Sequence, residues 1–257
     1  MKLLNYCWRL FATGVCFTLF GIGGLILTIA YFPWISIVFP NRDQRKDHAQ
    51  WVIHKSFALF VWFMTSTGVL RLEVRGRHNL RSHQNYLVVA NHPTLIDVVI
   101  LIAIIGRCDC VVKESLWKNI FLRGVVQAAG YIRNSDAAAS LDGCIDSLKR
   151  GRILILFPEG TRTTPGQPLK FQRGAANIAL RSQRNLIPIT IHCRHDTLNK
   201  NSSWYDVPKE GKVIMDMEIH PQMSVAPFME ESQPPSKSAR QLTQFMQRFF
   251  EEEVVAK

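Results

Sequence analysis

The chain has 257 residues, 47% hydrophobic and 20% charged, with a formal net charge of +11. This composition excludes a disordered chain and leaves room for one sizeable domain plus an accessory segment. The cationic excess points to an anionic partner, whether nucleic acid, anionic lipid, a phosphorylated substrate or CoA.

From Leu10 to Phe39 there is no charged residue. That run exceeds the roughly 20 residues needed to span a bilayer. Tyr31, Phe32 and Trp34 suit an interface belt, and Gly21, Gly23, Gly24 and Pro33 would let the segment bend or re-enter. A signal peptide competes, since Lys2 and Arg9 resemble its basic end, but the run is too long and lacks a clear cleavage site. Ser56 to Leu70 reads as a helix lying in the headgroup region, with a buried core helix as the plainer reading. Residues 1–70 are therefore expected to be a membrane anchor with an interfacial helix.

The composition changes at Arg71. Leu72–Arg75 reads as a strand closed by Gly76, and 79–84 as a polar loop. Tyr86–Ala90 is a β-branched and aromatic run, hence a buried strand, and Val98–Ile105 is apolar all round, hence a buried helix. Cys110–Val112 and Tyr131–Asn134 read as short strands. Trp117–Ala129 reads as a helix stopped by Gly130, and Ser135–Arg150 as a helix capped by Ser135 or Asp136. Ile153–Phe157 is a buried strand, Ala175–Leu180 a small-residue helix, Leu186–Ile191 a strand and Lys212–Ile219 a further one. Pro188 argues that its strand is an edge or carries a bulge. After Pro234 and Pro235, Leu242, Phe245, Met246 and Phe249 form the apolar stripe of a final helix. The alternation predicts an α/β fold: a mixed, mostly parallel sheet flanked by helices, preceded by the N-terminal helical membrane-docking segment. One domain is expected over 71–232, with an amphipathic helix over 233–257 packed on it. The six cysteines are scattered and read as reduced thiols. No metal site is expected, at His192, Cys193 and His195 included.

Between strand and helix stands Asn91-His92-Pro93-Thr94-Leu95-Ile96-Asp97. A strand's carboxyl edge is where open α/β sheets place ligands. Unbroken helix would turn His92 and Asp97 about 140° apart. Pro93 bars ordinary helix before it, so with Thr94 as N-cap and Asp97 at the third helical position, His92 can fold back onto the carboxylate. An imidazole so held has a fixed tautomer and a basic second nitrogen, a general base for an alcohol. The bland alternative is a capping box at Thr94-x-x-Asp97 with a structural histidine. A second loop, Phe157-Pro158-Glu159-Gly160-Thr161-Arg162, also follows a buried strand. There Gly160 permits close approach, Arg162 can grip phosphate with a planar fork, and Glu159 can accept a substrate hydroxyl or orient Arg162.

The two motifs together resemble those of the glycerolipid acyltransferase superfamily, which includes the glycerol-3-phosphate and 1-acylglycerol-3-phosphate acyltransferases. The likeness covers about residues 71 to 195 and follows four blocks in order. His92 and Asp97 match the catalytic His-x4-Asp; Gly130 and Arg133 match the second block. Phe157 to Arg162, with Glu159, Gly160, Thr161 and Arg162, match the acceptor-binding block. Ile187 and Pro188 match the block associated with the acyl chain.

The resemblance implies an enzyme in which Asp97 orients His92 and His92 deprotonates an acceptor hydroxyl. Arg133 and Arg162, with Lys113, would hold the acceptor phosphate. It implies no cofactor and no metal, with acyl-CoA or acyl-carrier protein as co-substrate. The implied partners are a lysophospholipid acceptor, the thioester donor and an anionic membrane surface, with no nucleic acid. The implied location is a membrane, a bacterial inner membrane with the catalytic domain on the cytoplasmic side. Many lysophosphatidic acid enzymes carry Gln-Ser after the histidine, where this chain has Pro93-Thr94. A lyso-ornithine lipid, another lysolipid or a glycolipid therefore stays open as acceptor, as does a phospholipid-dependent transacylase. A basic membrane-tethered binding protein is the non-enzymatic alternative, but its cations should form a stripe, and here they are scattered among acidic residues.

Overall fold

The computed structural model describes residues 2–81, 85–195, 197–200, 202–203, 205–229 and 233–255. Residues 82–84 of the polar loop and residues 230–232, beside the expected 232/233 boundary, lie outside the described residues. In chain order the elements are α1 (Lys2–Ile26), a π-helical turn Leu27–Tyr31, α2 (Phe32–Val38), α3 (Arg42–Ser66), β1 (Leu70–Arg75), α4 (His78–Arg81), β2 (Leu87–Ala90), α5 (Asp97–Ile105), β3 (Asp109–Lys113), α6 (Glu114–Lys118) and α7 (Arg123–Ala128). There follow β4 (Ile132–Asn134), α8 (Ala137–Lys149), β5 (Leu154–Leu156), α9 (Gly174–Ser182), β6 (Leu186–Cys193), β7 (Val213–Ile219), a 3-10 turn Ala226–Phe228 and α10 (Pro235–Val255).

The uncharged run forms a nearly continuous helical rod over Leu3–Val38, long and apolar enough to cross a membrane by length and composition. Pro33 is tolerated because it stands in the first turn of α2. Gly24 serves close packing against the α6–α7 segment, whereas a Cβ on Gly23 would meet nothing within 4 Å. A Cβ on Gly24 would stand 2.6 Å from the Phe121 carbonyl oxygen, and one on Gly124 would stand 2.5 Å from the Thr28 side chain. Arg9, within α1, donates to the carbonyls of Pro208 and Lys209 at 3.1 and 3.2 Å.

Where the sequence indicated a short interfacial helix from Ser56, α3 begins fourteen residues earlier at Arg42, capped by the Asn41 side chain. Its polar first half faces the domain because the domain supplies partners. Asp109, 1% exposed at the start of β3, accepts from Lys46 Nζ (3.1 Å), Gln50 Nε2 (2.7 Å), Ser147 Oγ (2.7 Å) and Arg152 Nε (3.2 Å). Arg152 also donates to Asp47 and to the Gln50 side-chain Oε1, and Gln50 Nε2 donates to the Ala129 backbone carbonyl. Gly130, with φ +60°, sits beneath this network, and a Cβ there would press on the Lys46 stem at 3.0 Å. Helix α3 is thereby fixed to the domain by polar bonds whose partners lie some sixty and a hundred residues away in sequence.

The sheet has seven strands in the order β1-β7-β6-β2-β5-β3-β4. From β6 to β4 all neighbours are parallel, β7 runs antiparallel to β6, and β1 pairs parallel with β7. This is the mixed, mostly parallel sheet that the alternation of elements predicts. Successive side chains point to opposite faces. Val88, Ala90, Ile187, Ile189 and Ile191 share one apolar cluster with Ile35, Ile53, Ile100 and Ile102 of the N-terminal helices and α5. Leu87, Val89 and Leu186 join the opposite cluster, under Leu148 of α8, Ala175 and Ala179 of α9, and α10.

Of the two readings of Pro188 the bulge is realised, and the apolar stripe of α10 shifts. Pro188 lies in the interior strand β6 rather than at an edge, paired in register with Val89. It is tolerated because β7 ends opposite it. The His220 amide donates to the Pro188 carbonyl, and the pairing then shifts to Leu186 with Met223, one residue extra on the departing chain. The buried stripe of α10 is Ala239, Leu242, Met246 and Phe250, while Phe245 is 46% exposed. Helical spacing permits either reading, and contact with α9 selects one. Of the two caps open for α8, Asp136 is the one used.

Candidate active site

Four parallel strands deliver the relevant residues to one edge. At the end of β2, Asn91 is buried and grips the β6 backbone twice: its Nδ2 donates to the Ile191 carbonyl and its Oδ1 accepts from the Ile191 amide, both at 2.7 Å. That clip completes the ladder where the chain turns out of the sheet. His92 follows, and its Nδ1 lies 2.9 Å from Asp97 Oδ2.

Regular helix starts at Asp97, two residues later than Thr94 as N-cap would require. The carboxylate nevertheless meets the Thr94 amide with Oδ2 (2.7 Å) and the Thr94 hydroxyl with Oδ1. The general-base and capping readings are therefore compatible: one carboxylate does both, with its hydroxyl partner donating rather than accepting. An ionised carboxylate only accepts, so Nδ1 carries the proton and Nε2 keeps its lone pair. Asp97 is fully buried, and burial pushes its carboxyl above the usual range, against the bonds from His92 and Thr94.

The loop after β5 packs directly on His92. The Phe157 ring stacks on the imidazole with centroids 4.1 Å apart. Glu159 Oε1 accepts from the His92 amide at 3.0 Å and from the Thr163 hydroxyl at 2.7 Å. Thr163 also donates its own amide to the His92 carbonyl at 2.7 Å. Gly160 adopts φ +69° and closes the turn by donating to the Phe157 carbonyl. Burial pushes the Glu159 carboxyl up, while the Thr163 and His92 bonds pull it back. Arg162 Nη1 donates to the carbonyls of Leu198 (3.2 Å) and Asn199 (2.6 Å). The Leu198 carbonyl also accepts the Leu95 amide at 2.9 Å, which ties the histidine loop and the arginine loop to one segment.

His92, Asp97, Glu159, Gly160 and Arg162 thus come together, with Thr161 half-buried in the same turn. Lys113 and Arg133 share the edge but stand at the ends of β3 and β4, on the far side of β5. Lys113 is exposed; Arg133 pairs with Glu114 and lies 6.0 Å over the Trp117 ring. In this structure Arg133 and Arg162 engage separate partners. Ile187 and Pro188 are buried mid-sheet beneath the His92 edge. Phe157, Thr163, and the clip at Asn91 carry geometry that motif spacing does not reveal. The available signal is local: Phe157 and Thr163 flank the Glu159–Arg162 turn in sequence.

Residues 71–192 match the Acyltransferase family model. The chain is similar to human 1-acyl-sn-glycerol-3-phosphate acyltransferase alpha, at 33% identity over 49% of this chain and 47% of that protein. It is also similar to the Borreliella burgdorferi 1-acyl-sn-glycerol-3-phosphate acyltransferase, at 30% identity over 51% of this chain and 55% of that protein. The chain therefore matches about half the length of these curated relatives. The crystal structure of the Thermotoga maritima 1-acyl-sn-glycerophosphate acyltransferase shares the fold, with a TM-score of 0.67 at 19% identity, covering 96% of this chain and 97% of that one.

Proposed function

Through residues 71–192 this chain belongs to the glycerolipid acyltransferase superfamily, and on that premise we propose that it is a membrane-bound O-acyltransferase. It moves a fatty acyl group from acyl-CoA or acyl-carrier protein to the free hydroxyl of a lysophospholipid. The acceptor is 1-acylglycerol-3-phosphate and the product phosphatidic acid. The named activity of the relatives supports this acceptor.

The observation that carries the reading is the His92 Nδ1 to Asp97 Oδ2 contact of 2.9 Å at the carboxyl edge of the parallel strands. His92 Nε2 takes the acceptor hydroxyl proton as that oxygen bonds to the thioester carbonyl carbon. The C–S bond then breaks, and the imidazolium returns the proton to the departing thiolate. Buried Asp97 balances the transient imidazolium. Arg162 holds the acceptor phosphate with the guanidinium edge not used on the Leu198 and Asn199 carbonyls. Lys113 and Arg133 supply further cation at the same edge, and the 3–38 rod holds the domain at the membrane, with its catalytic edge on the cytoplasmic side where thioesters are made. The acyl-chain site is assigned to the β6 block of Ile187 and Pro188, of which Ile187 faces the N-terminal helices and α5. The reaction needs neither cofactor nor metal.

The test is thiol release from an acyl thioester by membranes carrying the protein, across a panel of lysolipid acceptors. Transfer is expected with 1-acylglycerol-3-phosphate and is expected to vanish in His92→Ala without loss of membrane association. Transfer persisting in that variant, or an acceptor lacking phosphate being preferred, would overturn the assignment.

A further inference from the structure

We propose that Thr163, one residue beyond the acceptor-binding motif, is a positioning residue for His92. It fixes the histidine's backbone and, through Glu159, the electrostatics beneath the imidazole. The inference rests on the reading of His92 as the base.

Three bonds make the case. The Thr163 amide donates to the His92 carbonyl at 2.7 Å, and the Thr163 hydroxyl donates to Glu159 Oε1 at 2.7 Å. The same hydroxyl oxygen accepts from the His92 amide at 3.3 Å. Both backbone groups of residue 92 are thereby held by residue 163, across the gap between the β2 and β5 loops. The amide of His92 is shared between Thr163 Oγ1 and Glu159 Oε1, so the hydroxyl and the carboxylate act as one acceptor. Pro93 leaves the next residue with no amide to contribute. The imidazole rests on Phe157 from the same loop. A base held in this way loses reach when its loop shifts by a fraction of an ångström, whereas Arg162 keeps its own anchors on the Leu198 and Asn199 carbonyls.

The chemistry also separates the two parts of the clamp. The amide bond survives any side-chain change at 163, so Thr163→Val keeps size and one anchor while losing the hydroxyl. Glu159 then loses its shortest bond and keeps its burial, so its carboxyl rises further. Thr163→Ser restores the hydroxyl.

The experiment compares wild type, Thr163→Val and Thr163→Ser in detergent. It measures kcat, both KM values, the acid limb of the pH–rate profile and melting temperature. In parallel, the rate of His92 modification by diethyl pyrocarbonate is followed against pH by mass spectrometry. For Thr163→Val, kcat should fall about tenfold with both KM values within about twofold. Its acid limb should shift and the His92 modification rate should change, while melting stays within a few degrees. Thr163→Ser should recover most of kcat. Unchanged kcat in Thr163→Val, or a loss that tracks melting temperature and is not recovered by Ser, would overturn the proposal. If wild type transfers no acyl group, the functional reading fails on its own. The modification arm then still decides, since an unchanged His92 rate and pH midpoint in Thr163→Val refutes the clamp.

Discussion

His92 and Asp97 are joined through Nδ1 and Oδ2 at 2.9 Å, and that same Oδ2 takes the Thr94 amide at 2.7 Å. Pro93 and Thr94 thus serve the dyad directly: the proline keeps the histidine out of the helix, and the threonine aims the carboxylate. In Asp97→Asn the amide nitrogen can donate to Nδ1, which forces the proton onto Nε2 and removes the base. We expect kcat to fall by about three to four orders of magnitude with acceptor KM little changed. An Asn variant within tenfold of wild type would show that the carboxylate does not set the tautomer.

The buried carboxyls make stability fall as pH rises. Asp97 and Glu159 both titrate above their ordinary values because burial disfavours the charged form. Between the unfolded and folded values the native state holds protons that the unfolded chain has released. The contribution is complete below the unfolded value and is lost as pH rises through the folded one. Urea unfolding of wild type from roughly pH 4 to 8 should show this decline. Asp97→Asn should flatten its share of the decline and be at least as stable as wild type at neutral pH. A wild-type midpoint that rises across that window through these groups would contradict the assignment.

Much of the site was legible because both motifs are short loops at strand ends, where a few residues fix the geometry. Asn91–Asp97 and Phe157–Arg162 could be placed on one sheet edge from the runs that precede them. The helix carrying Asp97 starts later than capping alone suggests, since Thr94 donates to the carboxylate instead of accepting from the helix. What could not be read depends on distant partners. Lys46, Asp47 and Gln50 look like a solvated face, and only Asp109 and Arg152 explain why α3 turns them inward. The α10 stripe is ambiguous for the same reason, because a helix with apolar residues at 242, 245, 246, 249 and 250 can present more than one face. Pro188 marked an edge or a bulge, and only the partner strand, where β7 ends opposite it with one residue extra, selects the bulge.

Arg162 has two duties that a substitution series can separate. Its Nη1 holds the Leu198 and Asn199 carbonyls, and Leu198 is itself in a left-handed conformation with φ +55°. Arg162→Ala should raise KM for a phosphate-bearing acceptor by about 10- to 100-fold, the value of one or two charge-assisted bonds. Arg162→Lys should recover charge but not the fork, and so only part of the affinity. Acceptor kinetics with and without the phosphate provide the measurement. An equal loss on an uncharged lysolipid would show that the anchor to the 198–199 segment, rather than phosphate binding, is the duty that counts.

The joint between α3 and the sheet rests on Asp109, so breaking it should cost more than any surface change. Asp109→Ala leaves Lys46 and Arg152 without their buried carboxylate and strips Gln50 and Ser147 of an acceptor. Removing one partner of a buried charged network typically costs about 3–5 kcal/mol. Arg152 keeps Asp47, which softens the loss on that side. Urea unfolding in detergent should therefore register a destabilisation of that order. Adding Arg152→Met to Asp109→Ala should cost less than its effect in the wild-type background, because the stranded charge is gone. Strict additivity of the two substitutions, or a loss under about 1 kcal/mol for Asp109→Ala, would mean that apolar packing of Ala49 and Ile53, and not this network, holds the N-terminal helices to the domain.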